Sequence, residues 1–330
     1  MRSLRWSRWI RGGRDMSGAD YVHRAGRREL PSLPMPGESP RDAYARRARD
    51  LDGKWSSRPD PQSLPPGSES AQDAYRRFLR DRLAPSLRRL DLKGSGRNFR
   101  FDRGDFRCVF SFQGSKYNDK AIVEFTVNTA VQHAPTSRAF WGDRIGFLLP
   151  DMTDTWWMLP AGADTDELLS DLVESFAEYA LVAAQAAMEE YDSWADPTRQ
   201  WARRFDDPIK RRDRTGPRNL FPAPLGLDEG FAKLYDPDFA ERALALSILY
   251  RWVPDHPRLV PELLRFIEHE PRSYTRSVAA RYLGFVRSDP SLTLPALDAV
   301  VSEDEELEVR ISARYARHLI ARQQGRSSPS

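Results

Sequence analysis

Hydrophobic and polar residues follow two different periods along this chain, and the change of period predicts its first folded unit. Between Ala74 and Leu90 apolar side chains recur at steps of three and four residues, the pattern of an amphipathic helix. After a turn predicted at Lys93–Gly96 the period becomes two, and the apolar positions are Phe99, Phe101, Phe106, Cys108, Phe110 and Phe112. With a β-branched stretch at 122–131 and a further strand at 155–159, this alternation is typical of an antiparallel β-meander.

A second long helix is predicted after the meander. The segment A-D-T-D-E-L at Ala163–Leu168 has the chemistry of a helix N-terminus, with Asp164 or Thr165 as the cap and acids in the first turn. The helical period then continues to about Tyr191. Helix, meander and helix in this order predict an α+β fold for residues 69–195, with helices covering one face of the sheet.

The helical period returns in the last part of the chain. Helices are predicted at 237–252, 258–269, 273–287, 292–302 and 305–322. V-A-A-R-Y-L at Val278–Leu283 recurs as I-S-A-R-Y-A at Ile311–Ala316, and a repeat at this spacing indicates stacked helical hairpins. We therefore predict an all-α domain over 236–323 that is loosely similar to HEAT-type repeats and leans on the α+β domain.

The remaining segments have compositions that disfavour a packed core. Residues 1–68 contain eight prolines and few aliphatic residues, so we predict a disordered segment. Residues 196–235 are predicted as a linker and 324–330 as a disordered tail. Within Arg2–Arg14 the basic residues alternate with tryptophans, and two interpretations stay open: contact with an anionic membrane, or an extension ahead of a start at Met16.

Composition and charge narrow the class of protein. The net charge is +3, but 45 of the 51 basic residues are arginine and acids are interleaved with them, which argues against a stripe that tracks nucleic acid. The sequence lacks the roughly 18 consecutive apolar residues of a membrane span. Cys108 is the only cysteine, which excludes an internal disulfide in the chain and leads us to expect a cytoplasmic location.

A run of motifs in the first folded unit carries a resemblance to a known family. The motifs are L-x-P-x-L-x-x-L at Leu83–Leu90, F-Q-G-S at Phe112–Ser115, F-T-V-N at Phe125–Asn128, W-x-x-R-I-G-x-L at Trp141–Leu148 and the Trp156-Trp157 pair. From Tyr75 to about Tyr191 the chain resembles a bacterial family called domain of unknown function 4304, and it departs from the family pattern at Lys93–Gly96 and at Thr129-Ala130. The family has no established activity, so the resemblance implies architecture and leaves the chemistry open.

Polar residues at strand ends and adjoining loops are the candidate binding residues. They are Gln113, Asn128, His133, Trp141, Arg144 and Asp154. Arg144, among tryptophans, has the chemistry to hold an anion or carboxylate beside an aromatic wall, and His133 is a general base in principle. The alternative is structural: amides that satisfy turns, and an Arg144 that pairs with Asp151 or Asp154. The histidines are scattered and no phosphate-binding glycine motif occurs in the sequence, so neither a metal site nor a cofactor is predicted.

Two functional hypotheses follow from the sequence. The first is a non-catalytic protein-interaction or regulatory module, which predicts a flat sheet face and an exposed apolar groove along Ala243, Val278 and Ile311. The second is a small-ligand-binding protein or enzyme, which predicts a deep pocket around Arg144 and Gln113. The first is the preferred hypothesis, because the sequence shows no positioned catalytic acid or nucleophile.

Overall fold

The computed structural model describes residues 23–24, 67–150, 152, 155–193, 227–252, 255–286 and 290–327. The basic segment Arg2–Arg14 and the candidate residue Asp154 lie outside these ranges, as does most of 1–68 and of the linker at 196–235.

The first predicted helix is present and changes its winding in the middle. Helix α1 comprises Ala71–Arg77, a π-helical turn Phe78–Leu83 and a last part Ala84–Arg88. Pro85 has no N–H to donate to a carbonyl four residues earlier, and the wider turn lies directly before it, where the N–H of Ala84 donates to the carbonyl of Leu79. The helix begins at Ser70, whose hydroxyl accepts the N–H of Asp73 over 3.2 Å.

Within the described residues, seven strands form one sheet. They are β1 His23–Arg24, β2 Lys93–Ser95, β3 Asn98–Arg103, β4 Phe106–Gly114, β5 Ile122–His133, β6 Arg138–Arg144 and β7 Trp156–Pro160. Their order is β1-β7-β5-β4-β3-β2, with β6 also paired to β5, and all pairs are antiparallel except β1 with β7. The predicted meander is confirmed, while Lys93–Ser95, predicted as a turn, is a short edge strand that turns at Gly96 (φ 60°).

Strand β6 was not predicted from the sequence, and it pairs with the second half of the long strand β5. The first part of β5 pairs with β7 from Ile122 to Phe125, and its last part pairs with β6 from Asn128 to His133. One edge of β5 is therefore shared by two strands in succession. A register shift between Val131 and Gln132 lies within the second pairing.

One face of the sheet forms the main core. We call this the core face; it carries Phe106, Cys108, Phe110, Phe112, Phe125, Val127, Val131 and Trp157. Helix α2 packs there and consists of Asp166–Glu174, a π-helical turn Ser175–Ala180 and Leu181–Ser193. Its Phe176 lies edge-on to Phe110 at 4.9 Å between ring centroids, so helix and sheet share one aromatic interior.

The C-terminal region is all helical, as predicted. Its helices are α3 Leu227–Lys233, α4 Phe239–Trp252, α5 Leu259–His269, α6 Ser273–Leu283, α7 Pro290–Glu303 and α8 Leu307–Ser327. Helix α3 lies inside the range predicted as a linker, and α8 continues into the range predicted as a tail. No helix in the described ranges is both long and apolar enough to cross a membrane.

Three helices of this region form a regular series that charged pairs join. The starts of α4, α6 and α8 are evenly spaced along the sequence. Arg242, the fourth residue of α4, donates to both carboxylate oxygens of Glu270, over 2.6 and 3.1 Å. Arg276, the fourth residue of α6, does the same to Asp304 over 2.9 and 3.0 Å. We call these two bidentate pairs the rungs, because each joins one hairpin to the next.

The repeat of the helices and the repeat of the A-R-Y motif in the sequence differ in length. The interval between the starts of α6 and α8 is longer by one residue than the interval between the two copies of the motif. One residue turns a helical side chain by about 100°, so Arg281 and Arg314 are not equivalent, and Arg281 corresponds to Tyr315. Both of these residues contact the end of β6 and the 3-10 turn after it, through Asp143 and the carbonyl of Leu148.

Helix α8 joins the helical region to the α+β domain. Leu307, Ile311, Tyr315 and Leu319 belong to the main core, while Ala313, Ala316 and Ile320 belong to the core of the helical region. We call the contact between the α+β domain and the helical region the seam. It comprises these residues of α8 and the ion pairs of Arg281 with Asp143 and of Glu190 with Arg310 and Arg314. The predicted leaning of the helices on the α+β domain is therefore a shared core.

Candidate functional site

The register of the sheet brings three candidate residues together. Asn128 of β5 lies opposite Ser111 of β4 and opposite Arg144 of β6. Gln113 lies opposite Thr126, two residues before Asn128 on β5. Because alternate residues of a strand point to opposite sides, these side chains occupy two neighbouring rows on the face away from the main core. We call it the second face.

Two direct contacts order this group. The side-chain amide of Asn128 donates to the side-chain carbonyl oxygen of Gln113 over 2.9 Å, which fixes the orientation of both amides. The guanidinium of Arg144 lies 5.7 Å from the ring centroid of Trp156, within the range of a cation–π interaction. The expected placement of Arg144 beside an aromatic wall is thus present, with Trp156 as the wall.

Thr126 is the second-face residue that the sequence reasoning missed. It is fully buried, at 0% exposure, and its hydroxyl has no hydrogen-bond partner. A buried hydroxyl without a partner costs about 1–3 kcal/mol. Its position could have been deduced, since Thr126 has the same two-residue phase along β5 as Asn128.

Trp141 and His133, two of the other candidates, do not join this group. Trp141 lies opposite Val131 and belongs to the main core. His133 is at the far end of β5, where its ring stacks on Tyr191 with centroids 5.0 Å apart and its Nδ1 lies 3.1 Å from the hydroxyl of Thr136. Asp154 is outside the described residues.

Cys108, whose thiol could in principle act as a nucleophile, lies in the hydrophobic core of the α+β domain. Cys108 is completely buried on the core face, and burial raises the pKa of its thiol to about 12, with a smaller opposing effect from a contact with Thr129. A thiol with this pKa is protonated at neutral pH, so it lacks the thiolate of a nucleophile. Within the described ranges, no three histidine, cysteine or carboxylate side chains gather in a metal-binding arrangement.

The seam contains buried charges and one exposed aromatic side chain. Arg281 of α6, 5% exposed at its side chain, donates to Asp143 over 2.5 Å and to the hydroxyl of Ser312 over 3.2 Å. Burial alone would lower the pKa of Arg281, but the charges of Asp143 and Glu308 raise it, so the guanidinium stays charged. Tyr274, on the same helix and within electrostatic range of this pair, is 54% exposed.

A second set of buried charges completes the seam. The carboxylate of Glu190, at the end of α2, is 0% exposed and forms ion pairs with Arg310 at 2.9 Å and with Arg314. Arg310 is the fourth residue of α8, as Arg276 is of α6, so Glu190 stands where the acids of the rungs stand. The α+β domain therefore occupies the place of a following repeat.

The two hypotheses predicted a pocket around Arg144 and Gln113 and an exposed apolar groove. The structure has a cavity at a different place and a buried residue within the predicted groove. A cavity of about 270 Å³ lies in the helical region, lined among others by Tyr235, Arg242 and Glu270, and is separate from the second face. Ile311, predicted to line an exposed apolar groove, is 1% exposed within the main core. The predicted groove is therefore closed at Ile311, where α8 packs onto the sheet domain, while Val278 lies half-buried against the core of the helical region.

Comparison with known proteins identifies part of the α+β domain. Residues 83–186 match the family model described as Domain of unknown function (DUF4304), from the end of α1 through the sheet into α2. This match confirms the resemblance that the motifs indicated. No curated protein and no solved structure matches the chain. The matched range ends before α3, so the similarity of the helical region to HEAT-type repeats stays a prediction.

Proposed function

We propose that this chain is a non-catalytic protein-interaction module that binds its partner across the seam. The observation that carries the proposal is Tyr274, a large aromatic side chain that is 54% exposed beside the buried Arg281–Asp143 pair. Tyrosine is among the side chains that contribute most to binding when they become buried at the centre of an interface.

The surroundings of Tyr274 suit an anchor. Asp143 belongs to the α+β domain and Arg281 to the helical region, and their ion pair joins the two regions within electrostatic range of Tyr274. The shared core of α8 and the buried pair at Glu190 hold the two regions together before binding. A surface that is ordered in advance loses less conformational entropy on association. Stacked helical hairpins are suited to such a role because they expose extended surfaces.

We place this module in the cytoplasm of a bacterium, as a regulatory component. The lone cysteine and the resemblance to a bacterial family support this placement.

Site-specific photocrosslinking in the native cells tests the proposal. A photoreactive amino acid at position 274 should give a discrete crosslinked protein, whereas the same group at Tyr117, 65% exposed in the loop between β4 and β5, should not. With the captured partner purified, Tyr274→Ala should weaken binding at least tenfold, about 1.4 kcal/mol or more. Tyr117→Ala is the matched control and should bind like the wild type. Equal crosslinking at both positions, or unchanged affinity of Tyr274→Ala, contradicts the proposal.

A further inference from the structure

We propose that the part of the second face formed by β2, β3 and β4 is a docking surface for an extended, acidic segment of a partner protein. Three cations there, Lys93, Arg100 and Arg107, surround the carboxylate of Asp102. We call these four residues the cationic patch. The ion pairs of the seam come from β6 and α2 instead, so the patch does not depend on the role proposed for Tyr274.

The register of the sheet places the charged side chains of the patch next to one another. Lys93 lies directly opposite Arg100, and Asp102 directly opposite Arg107. Arg100 and Asp102 are two residues apart on β3, so all four side chains point to the same side of the sheet. The carboxylate of Asp102 lies 2.9 Å from Nε of Arg107 and 3.5 Å from Nε of Arg100. One acid thus holds two guanidiniums beside each other.

The patch is exposed and carries an excess of positive charge. The side chains of Arg100 and Arg107 are 51% and 42% exposed, and Lys93 is exposed as well. The hydrogen bond from Arg107, followed by the charges of the cations around it, lowers the pKa of Asp102 although burial opposes this. The carboxylate is therefore ionised at neutral pH, and three cations against one carboxylate leave a net charge of +2. An acidic partner is complementary to this surface.

The guanidinium of Arg107 has donors left for such a partner. It donates to Asp102 through Nε, and its two terminal nitrogens form no hydrogen bond with any residue that the structure describes. Two N–H groups side by side match the two oxygens of a carboxylate. The ammonium of Lys93 acts on Asp102 through its charge, without a hydrogen bond, and offers a second point of attachment.

The surroundings of the patch distinguish between three classes of anionic partner. On the same face, β2, β3 and β4 also carry Ser95, Asn98, Val109, Ser111 and Gln113. Neither these side chains nor the patch include an aromatic ring, on which single-stranded nucleic acids stack their bases. Val109 is the one apolar side chain among them, whereas elements that lie on membranes insert an apolar face. The carboxylates of a protein segment are the ligand that fits.

The spacing of the cations favours an extended segment. Arg100 and Arg107 are diagonal neighbours on adjacent strands, about 7–8 Å apart. Carboxylates on alternate residues of an extended chain lie on one side, about 7 Å apart. The edge of the sheet is less suitable for docking, because Arg88 of α1 donates to the carbonyl of Gly94 in the edge strand β2 over 3.2 Å. The segment therefore lies across the face, with acids at alternate positions.

Fluorescence anisotropy with a labelled peptide of alternating glutamate and serine tests the patch. The peptide should bind saturably at low ionic strength, and a peptide of the same composition with its glutamates in one block should bind more weakly. Arg100→Gln combined with Arg107→Gln should weaken binding at least tenfold. Arg76→Gln combined with Arg80→Gln is the matched control: both arginines are exposed on α1, each pairs with a neighbouring carboxylate, and the pair of substitutions removes the same charge. This control should bind like the wild type.

Three further comparisons separate the patch from the seam and from other anionic partners. Tyr274→Ala should bind the peptide like the wild type, so that either proposal can fail without the other. An oligouridylate of equal charge and vesicles containing phosphatidylserine should both bind more weakly than the alternating peptide. The proposal is wrong if this peptide does not bind saturably, if the block peptide binds equally well, or if the control loses as much affinity as the Arg100 and Arg107 variant. Tighter binding of the oligouridylate or the vesicles also overturns it.

Discussion

The interior of the α+β domain is rich in aromatic rings, whereas the interior of the helical region contains arginine–carboxylate pairs beside its apolar side chains. Phe112 packs between Phe99, Phe125 and Phe176 with centroid distances of 5.9 to 6.0 Å. The helical region instead buries Glu270 and Arg281, at 4% exposure each. The two interiors differ in how strictly their side chains fix the geometry of neighbouring elements.

This difference shows how neighbouring strands or hairpins are aligned in each region. A sheet is aligned by its backbone ladder, so its side chains need only fill the interior. Helical hairpins have no such ladder between them, and apolar side chains alone tolerate sliding. A bidentate arginine–carboxylate pair has a defined direction, so the rungs Arg242–Glu270 and Arg276–Asp304 fix one hairpin against the next. Glu190 extends the same device to the α+β domain.

Removal of the charge at Glu190 is expected to have the largest effect, because it leaves two arginines without their buried partner. For Glu190→Gln we expect the free energy of unfolding to fall by about 3–5 kcal/mol, the usual cost of breaking a buried pair from one side. Urea unfolding followed by circular dichroism and by tryptophan fluorescence measures it. Glu189→Gln is the matched control: its side chain is 29% exposed, and its loss should cost about 1 kcal/mol or less. Equal effects of the two variants would show that the buried pair does not hold the seam.

A rung inside the helical region is expected to contribute less, because only one pair is lost. Asp304→Asn removes the charge that Arg276 binds, while the asparagine can still accept the N–H of Glu306 as Asp304 does over 2.9 Å. We expect a loss of about 1.5–3 kcal/mol, typical of hydrogen bonds to charged groups. Exposed Glu303→Gln, one residue earlier, should change stability by about 0.5 kcal/mol at most.

A double-mutant cycle sharpens this measurement. If Asp304→Asn and Arg276→Gln are combined, the loss should be smaller than the two single losses together, because both variants break the same pair. Strict additivity would mean that the rung contributes nothing as a pair.

Local patterns in the sequence predicted much of the fold, and the exceptions have physical causes. The phenylalanines of β4 alternate clearly, so the strand was evident. Strand β6 was missed because its apolar pair Phe140-Trp141 is consecutive, and a register shift that leaves Phe140 as an extra residue of β6 accommodates it. Helix α3 was missed because it has only seven residues and depends on burial of Phe231. Such elements are set by tertiary contacts.

The candidate site was only partly predictable, because its assembly also depends on tertiary contacts. Gln113 and Arg144 lie at strand ends, as predicted, whereas Asn128 lies in the middle of β5. Which of the three meet depends on the pairing of β4, β5 and β6, and local sequence does not encode pairing. Trp141 was grouped with them by sequence proximity to Arg144. It lies three residues earlier on the same strand, so it points to the opposite face.

Acidification should weaken the rungs before it affects the aromatic core, and this is the smallest effect we expect. Burial by itself raises the pKa of Glu270, but hydrogen bonds from Arg242 and from the backbone N–H of Arg272 outweigh it, so the pKa lies below its ordinary value of 4.5. A carboxyl group with a lowered pKa stabilises the fold fully above the unfolded value and loses this contribution as the pH falls through the folded value. The stability difference between wild type and Glu270→Gln should therefore be largest at pH 7 and shrink below about pH 4.5. Exposed Glu268→Gln should follow the wild type throughout. A difference between wild type and Glu270→Gln that stays constant from pH 7 to pH 3 would show that the rung acts through packing, as the aromatic core does, and would remove the contrast between the two regions.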